Sequence, residues 1–292
     1  RLPDGSRVTV ILPPVARQGI YLAIRKFQRE VMHIQKLIQL GTLNHESAQF
    51  LTACVMSSRN MIVCGGTGSG KTSLLNVISA AIPQEQRILV LEDSTELQLQ
   101  QPHVISLETR PPDKFERGEV TMRMLLRASL RMRPDRIVIG EVRGPEALDL
   151  IQAMTSGHRG SMSTTHANAP FDCLARLETL CMMSDVELPL HALRSQIASS
   201  IDLIVQIARF PDGSRKVTHI TEVVPLDNDM QYRVRDLYRY RVVARGNEGP
   251  IGKLECHGIP SFAEDLRLHG FGLPKTMAAL AEAVRRKEDL KK

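Results

Sequence analysis

Residues 65–72 read Gly-Gly-Thr-Gly-Ser-Gly-Lys-Thr, a complete loop of the G-x-x-x-x-G-K-[ST] type. This pattern constrains the fold because it works only between a buried strand and a helix. Met61-Ile62-Val63-Cys64 supplies the strand, and Thr72 to Ala81 reads as the helix, whose N-terminus then faces the bound phosphate. Gly65, Gly66, Gly68 and Gly70 are expected where side chains would clash, so that successive N–H groups turn inward. Lys71 is expected to reach the β- and γ-phosphates, and the Thr72 hydroxyl to ligate Mg²⁺. The expected nucleotide-binding set is Gly66, Thr67, Gly68, Ser69, Gly70, Lys71, Thr72 and Ser73.

The chain has 292 residues, long enough for one large domain or two, with ordinary hydrophobic (42%) and charged (24%) content. Trp is absent and aromatics are only 4%, which argues against base-stacking platforms for single-stranded nucleic acid. The net charge of +6 suits phosphate-bearing ligands or an acidic membrane surface, and equally a bland excess of solvated basic residues. The five cysteines have no metal-ligand spacing and read as small buried residues in a reducing compartment. No apolar run approaches the ~18 residues of a membrane span. The residues read here lead us to expect no secretory signal. The opening at Arg1 rather than Met leads us to expect an upstream region.

Val8 to Leu12 and Gly19 to Phe27 read as the last two strands of a small β-containing domain, and 28–43 as a hinge. Asn44 to Arg59 reads as a helix with Phe50, Leu51, Cys54 and Val55 on one face. From residue 60, strands at 61–64, 87–91, 103–107, 136–139 and 161–165 alternate with helices at 71–81, 120–132, 145–156, 170–183 and 189–199. That alternation predicts an α/β fold with a mainly parallel sheet flanked by helices. Residues 201–208 and 216–224 flank Asp212-Gly213, a hairpin signal. Beyond 225 we expect a strand at 237–243, helices at 261–269 and 274–286, and a charged tail at 285–292.

Arg136-Ile137-Val138-Ile139-Gly140-Glu141 ends a buried strand on a carboxylate, where phosphate-loop enzymes keep the acid that organises the metal or the attacking water. Gly140 stands where a plainer motif has Asp, so Glu141 is the candidate for polarising water; the alternative is a surface Glu at a strand end. Leu91-Glu92-Asp93-Ser94-Thr95-Glu96 places three carboxylates at another strand end, on the rim where open α/β sheets bind ligands. Its functional reading is water-mediated contact with Mg²⁺, and its bland reading a solvated loop. His158 and His166 bracket a strand and fall at its opposite ends if it is extended. They lack the partners of a zinc site. They read as hydrogen-bond partners or sensors of phosphate, or as structural residues.

These motifs, in this order, resemble the type II/IV secretion ATPase family. Met132 to Gly144, Ile24-Arg25-Lys26-Phe27, Glu108-Thr109-Arg110-Pro111-Pro112 and Ser214 to Glu222 look like its tight-adherence (Flp) pilus branch, the CpaF-like proteins. The resemblance is dense over about residues 1–225. It implies a RecA-like, Mg²⁺-dependent motor that hydrolyses ATP to power pilus assembly, retraction or secretion. It further implies a homo-hexamer in the cytoplasm, held peripherally at the inner membrane on a platform protein. It divides the chain into the end of an N-terminal domain (1–27), a linker (28–43) and a RecA-like ATPase domain (44–292), with a C-terminal appendage from about 225. By the resemblance Glu141 is the catalytic glutamate, Glu92 and Glu96 belong to the acidic box, His158 and His166 to the histidine box, and Arg25 and Arg110 are the charge-neutralising arginines. The tetracysteine zinc motif of some type II members is missing from the sequence. Two other readings stay open: a RecA-like nucleic-acid translocase, which lacks a basic stripe interleaved with aromatics, and a nucleotide-regulated switch with little turnover.

Overall fold

The computed structural model describes residues 2–26, 32–246 and 249–289. The chain begins with an antiparallel hairpin of β1 (Arg7–Ile11) and β2 (Tyr21–Arg25), in which Val8 faces Ile24. Phe27, expected to close this second strand, and residues 28–31 of the expected hinge lie outside the described residues. The rest of that hinge holds a short helix, α1 (Ile34–Gln39), whose Leu37 is buried in the main core. Helix α2 (His45–Met56) starts on a reciprocal cap: Ser47 N–H donates to Asn44 Oδ1 at 2.8 Å and Asn44 N–H to Ser47 Oγ at 3.1 Å.

The central alternation follows: β3 (Met61–Cys64), α3 (Lys71–Ser79), β4 (Ile88–Glu92), β5 (Val104–Glu108), α4 (Met122–Ser129), β6 (Arg136–Ile139), α5 (Glu146–Thr155), β7 (Met162–Thr165), α6 (Pro170–Met182), α7 (Leu190–Ser200) and β8 (Leu203–Arg209). The chain closes with β9 (Arg215–Val224), β10 (Arg233–Gly246), β11 (Gly249–Cys256), α8 (Ala263–Leu268) and α9 (Lys275–Asp289). The large sheet has nine strands in the order β11-β10-β9-β8-β3-β7-β6-β4-β5. From β8 to β5 every pairing is parallel; β9, β10 and β11 add antiparallel strands to the β8 edge. The mainly parallel α/β architecture read from the alternation is therefore the fold.

Strands β3, β4, β6 and β7 are buried along their whole length, as expected for strands covered on both faces. The two-residue period sorts their side chains between two cores. Met61 and Val63 pack with α2 and α3, while Ile62 and Cys64 pack with α5, α6 and α7.

Two differences from the sequence reading have clear causes. The helix expected over 120–132 becomes α4 and a 3₁₀ turn at Leu130–Met132, because Pro134 disfavours helical backbone at Arg133, which turns left-handed (φ 52°). The strand expected over 237–243 is longer, and β11 is additional. Two glycines and Pro250 weaken the strand signal of β11, and an edge position tolerates such a proline. Beyond residue 225 the chain does not stand apart from the sheet: Leu237, Tyr238, Leu254, Leu266 and Met277 share the core of α2 and α3.

Candidate functional site

All the parallel strands end on one rim, and the glycine-rich loop joins β3 to α3 there. Gly68 (φ 70°) and Gly70 (φ 94°) hold left-handed backbone that other residues rarely adopt, and Gly70 is the N-cap of α3. A side chain at Gly65 would run into the Ile207 carbonyl, whereas Gly66 has open space and an ordinary φ. The need for glycine expected at all four positions thus holds at three. The loop is braced from within. Ser69 Oγ donates to the Gly66 carbonyl at 2.9 Å, and Lys71 Nζ donates to the same oxygen at 3.0 Å.

From Lys71 a polar chain runs along the rim. Lys71 Nζ lies 3.4 Å from His166 Nδ1, His166 Nε2 lies 2.8 Å from Glu141 Oε1, and Arg143 Nη2 donates to Glu141 Oε2 at 2.5 Å. Burial, and then the Lys71 charge, hold the His166 pKa below its ordinary value. The ring is therefore neutral near pH 7. Its two nitrogens thus stand between the ammonium of Lys71 and the carboxylate of Glu141. Burial also lowers the Lys71 pKa, opposed by the charge of Glu141.

Glu92 lies at the end of β4, 4% exposed. Its Oε1 accepts from Glu96 N–H at 2.9 Å and Leu97 N–H at 3.0 Å. Burial nevertheless outweighs these bonds and pushes its carboxyl up to about 7. Gly140 explains how it fits: a Cβ there would stand 3.0 Å from Glu92 Cγ. Glu92, from the neighbouring strand, thus fills the space that a side chain at position 140 would need. Asp93 lies 3.9 Å from Arg143, and Glu96 receives Arg25 Nη2 at 3.1 Å from the N-terminal hairpin.

These groups surround a cavity of about 620 Å³. Its polar lining includes Lys71, Thr72, Glu92, Glu141, Arg143 and His166, and its apolar lining includes Met32, Leu37, Leu40 and Ile207. The structure also brings Arg25 to its wall. Two expected residues are not brought there. Arg110 is in an exposed bridge with Val120 beyond edge strand β5, its Nε donating to the Gly118 carbonyl at 2.6 Å. His158 precedes β7 and therefore sits at the opposite end of the strands from Lys71; its carbonyl accepts from Ser161 Oγ at 2.7 Å. The extended strand keeps the two histidines apart.

Among the described residues no three His, Cys, Asp or Glu side chains cluster as a metal cage. The oxygen donors on the cavity wall, Thr72 Oγ1 and the carboxylates of Glu92 and Glu141, are the hard ligands that suit Mg²⁺ shared with phosphate oxygens. The sequence reading gave no role to Arg143, Arg209 or Arg215. Arg143 was legible only as the second residue after Glu141. Arg209 and Arg215 close the β8–β9 hairpin, and nothing in their local sequence signals that this hairpin ends beside the phosphate loop.

Residues 1–250 match the sequence model of the family described as Type II/IV secretion system protein. A protein of Mycobacterium tuberculosis named for conjugal transfer is 39% identical over 214 residues, 73% of this chain, and the chain spans 60% of that relative's length. The type IV secretion system protein PtlH of Bordetella pertussis is 35% identical over 232 residues, 71% of this chain and 68% of PtlH. Among solved structures, the VirB11 ATPase from the Brucella suis type IV secretion system, in complex with sulphate, is 29% identical with a TM-score of 0.55, covering 75% of this chain and 71% of that one.

Proposed function

This chain belongs to the type II/IV secretion system protein family, and from that premise we propose that it is a Mg²⁺-dependent ATPase that drives a pilus or secretion machine. The carrying observation is the meeting of the phosphate loop, Glu92, Glu141 and His166 around one cavity on the carboxyl rim of the parallel sheet. Loop N–H groups and the N-terminus of α3 would bind the phosphates. Lys71 would exchange the Gly66 carbonyl for the β- and γ-phosphate oxygens. Glu141 would orient water and accept its proton as the water attacks the γ-phosphorus, yielding ADP and phosphate. Arg143 and His166 hold the two oxygens of that carboxylate and so would act as positioning residues. When bound, Mg²⁺ neutralises charge on the phosphate oxygens, and Thr72 with Glu92 would hold it.

The wider setting follows from the family and from the Flp-branch motifs. The ATPase would form a homo-hexamer docked from the cytoplasm on an inner-membrane platform protein. Among the described residues no helix is long and apolar enough to cross a membrane. In this reading residues 1–27 close an N-terminal domain, 28–43 link it to the motor at 44–292, and Arg25 neutralises charge in the transition state. Arg110, exposed beyond the sheet edge, could serve only another subunit's site. His158 would act at a distance, through β7.

The decisive comparison is Lys71→Ala with Glu141→Gln, by calorimetry and turnover. Lys71→Ala should lose tight ATP binding. Glu141→Gln should bind ATP and lose turnover by on the order of 10²–10⁴-fold, with His166→Ala in between. Unchanged turnover in Lys71→Ala would sink the assignment. A loss of tenfold or less in Glu141→Gln would move the proton-accepting role to Glu92 or Glu96.

A further inference from the structure

Arg209 and Arg215 are directly opposed across the β8–β9 ladder, at the end of the hairpin. Both are exposed, and among the described residues neither has a carboxylate partner. Like charges directly opposite on a sheet repel. Arg235, on the neighbouring strand, is by contrast paired with Glu222. This pair instead converges on Gly68 of the phosphate loop. Arg215 Nε donates to the Gly68 carbonyl at 3.1 Å, and Arg209 Nη1 is 3.9 Å from where a Gly68 Cβ would stand. Arg215 also lines the cavity, and its Cδ would be 3.0 Å from a Cβ at Gly70.

The hairpin end is firmly held. Thr42 Oγ1 donates to the Arg215 carbonyl at 2.8 Å, Val217 N–H to the Thr42 carbonyl at 3.0 Å, and Lys216 Nζ to the Leu40 carbonyl at 2.9 Å. Two uncompensated guanidinium groups fixed beside a loop built to cradle phosphate form a ready anion contact.

We propose that Arg209 and Arg215 form a second cationic contact to the polyphosphate of the bound nucleotide, in addition to Lys71. The proposal deepens the ATPase reading and rests on it. Each arginine adds a charge-assisted contact from the hairpin side, and the bound anion relieves the repulsion between them.

The test is calorimetric titration of the full chain with ATP, ADP and inorganic tripolyphosphate, for wild type, Arg209→Ala, Arg215→Ala, the double variant and Arg215→Lys. Both side chains are exposed, so the variants should melt as wild type does. Each single change should weaken all three ligands, the double change should cost on the order of tenfold or more, and Arg215→Lys should recover part of the loss. The salt dependence of binding should also become shallower in the double variant. Unchanged affinity in the double variant overturns the proposal. So does a loss confined to ATP and ADP with tripolyphosphate unaffected, which would put the arginines on the base or ribose. A loss in Arg215→Ala with none in Arg209→Ala would reduce Arg215 to a brace for the loop and also overturn the pair. If wild type binds none of the ligands, or Lys71→Ala binds as wild type does, the underlying nucleotide reading fails instead.

Discussion

At the scale of single residues, Glu92 is the most heavily perturbed group on the cavity wall. A carboxyl pushed up to about 7 by burial binds its proton more tightly in the folded protein than in the unfolded chain. Its contribution to stability is therefore fully present below the ordinary carboxylate pKa and is lost as pH rises through about 7. Glu92→Gln should be more stable than the nucleotide-free wild type above pH 7, by on the order of 1–3 kcal/mol, with the difference vanishing toward pH 4. Denaturant melts at several pH values would show this; a pH-independent difference would mean that Glu92 is not buried as a charge. The same position shows what sequence could and could not deliver. The acidic run at 91–96 was visible as a candidate, and so was the odd Gly140. That the second makes room for the first requires the pairing of β4 with β6, which no local pattern encodes.

At the scale of elements, β3, β4 and β6 were legible because each is a short, mainly apolar run, β5 and β7 because they alternate with helical patterns, and the hairpin of β8 and β9 because Asp212-Gly213 marks its turn. Helix α1 was missed for lack of a capping residue: His33 gives no side-chain cap, and six residues carry little periodicity. The edge strand β11 was missed because its side-chain signal is weak, yet it is tied to the start of α2, where Asn44 Nδ2 donates to the Leu254 carbonyl at 2.8 Å. Asn44 thus serves two elements at once, capping α2 with Oδ1 and anchoring β11 with Nδ2. Asn44→Ala should cost about 1–2 kcal/mol, and Asn44→Asp, which keeps the cap and loses the donor, should cost less. Hydrogen exchange should show the loosening at both the first turn of α2 and β11. Loosening at α2 alone would mean that the tie to Leu254 adds nothing.

At the scale of the whole molecule, the N-terminal hairpin meets the sheet through polar contacts at one corner of the cavity. Arg7 Nε donates to Ser94 Oγ at 2.6 Å and Arg25 lies 3.1 Å from Glu96, while Val10, Leu22 and Ile24 in the same hairpin remain exposed. A contact of this kind buries little apolar surface and is readily exchanged for another anion. Glu96 and a bound phosphate would therefore compete for Arg25. Such an exchange would couple nucleotide binding to rotation of the hairpin. Two changes should act with opposite sign. Arg25→Ala should weaken ATP binding and slow turnover, whereas Glu96→Gln, which frees Arg25 and removes a nearby negative charge, should tighten ATP binding a few-fold (~0.5–1 kcal/mol). Equal weakening by both would mean that the Arg25–Glu96 contact supports the site rather than competing for it. Whose site Arg25 serves is settled by mixing Arg25→Ala, expected to be slow alone, with Lys71→Ala, expected to be inactive alone. The contact with Glu96 in the same chain favours action within one chain, and so no recovery when the proposed ring is assembled from both variants. Recovery of part of the activity would assign Arg25 to the neighbouring subunit's phosphate loop, and a fully active Arg25→Ala enzyme would remove it from the chemistry.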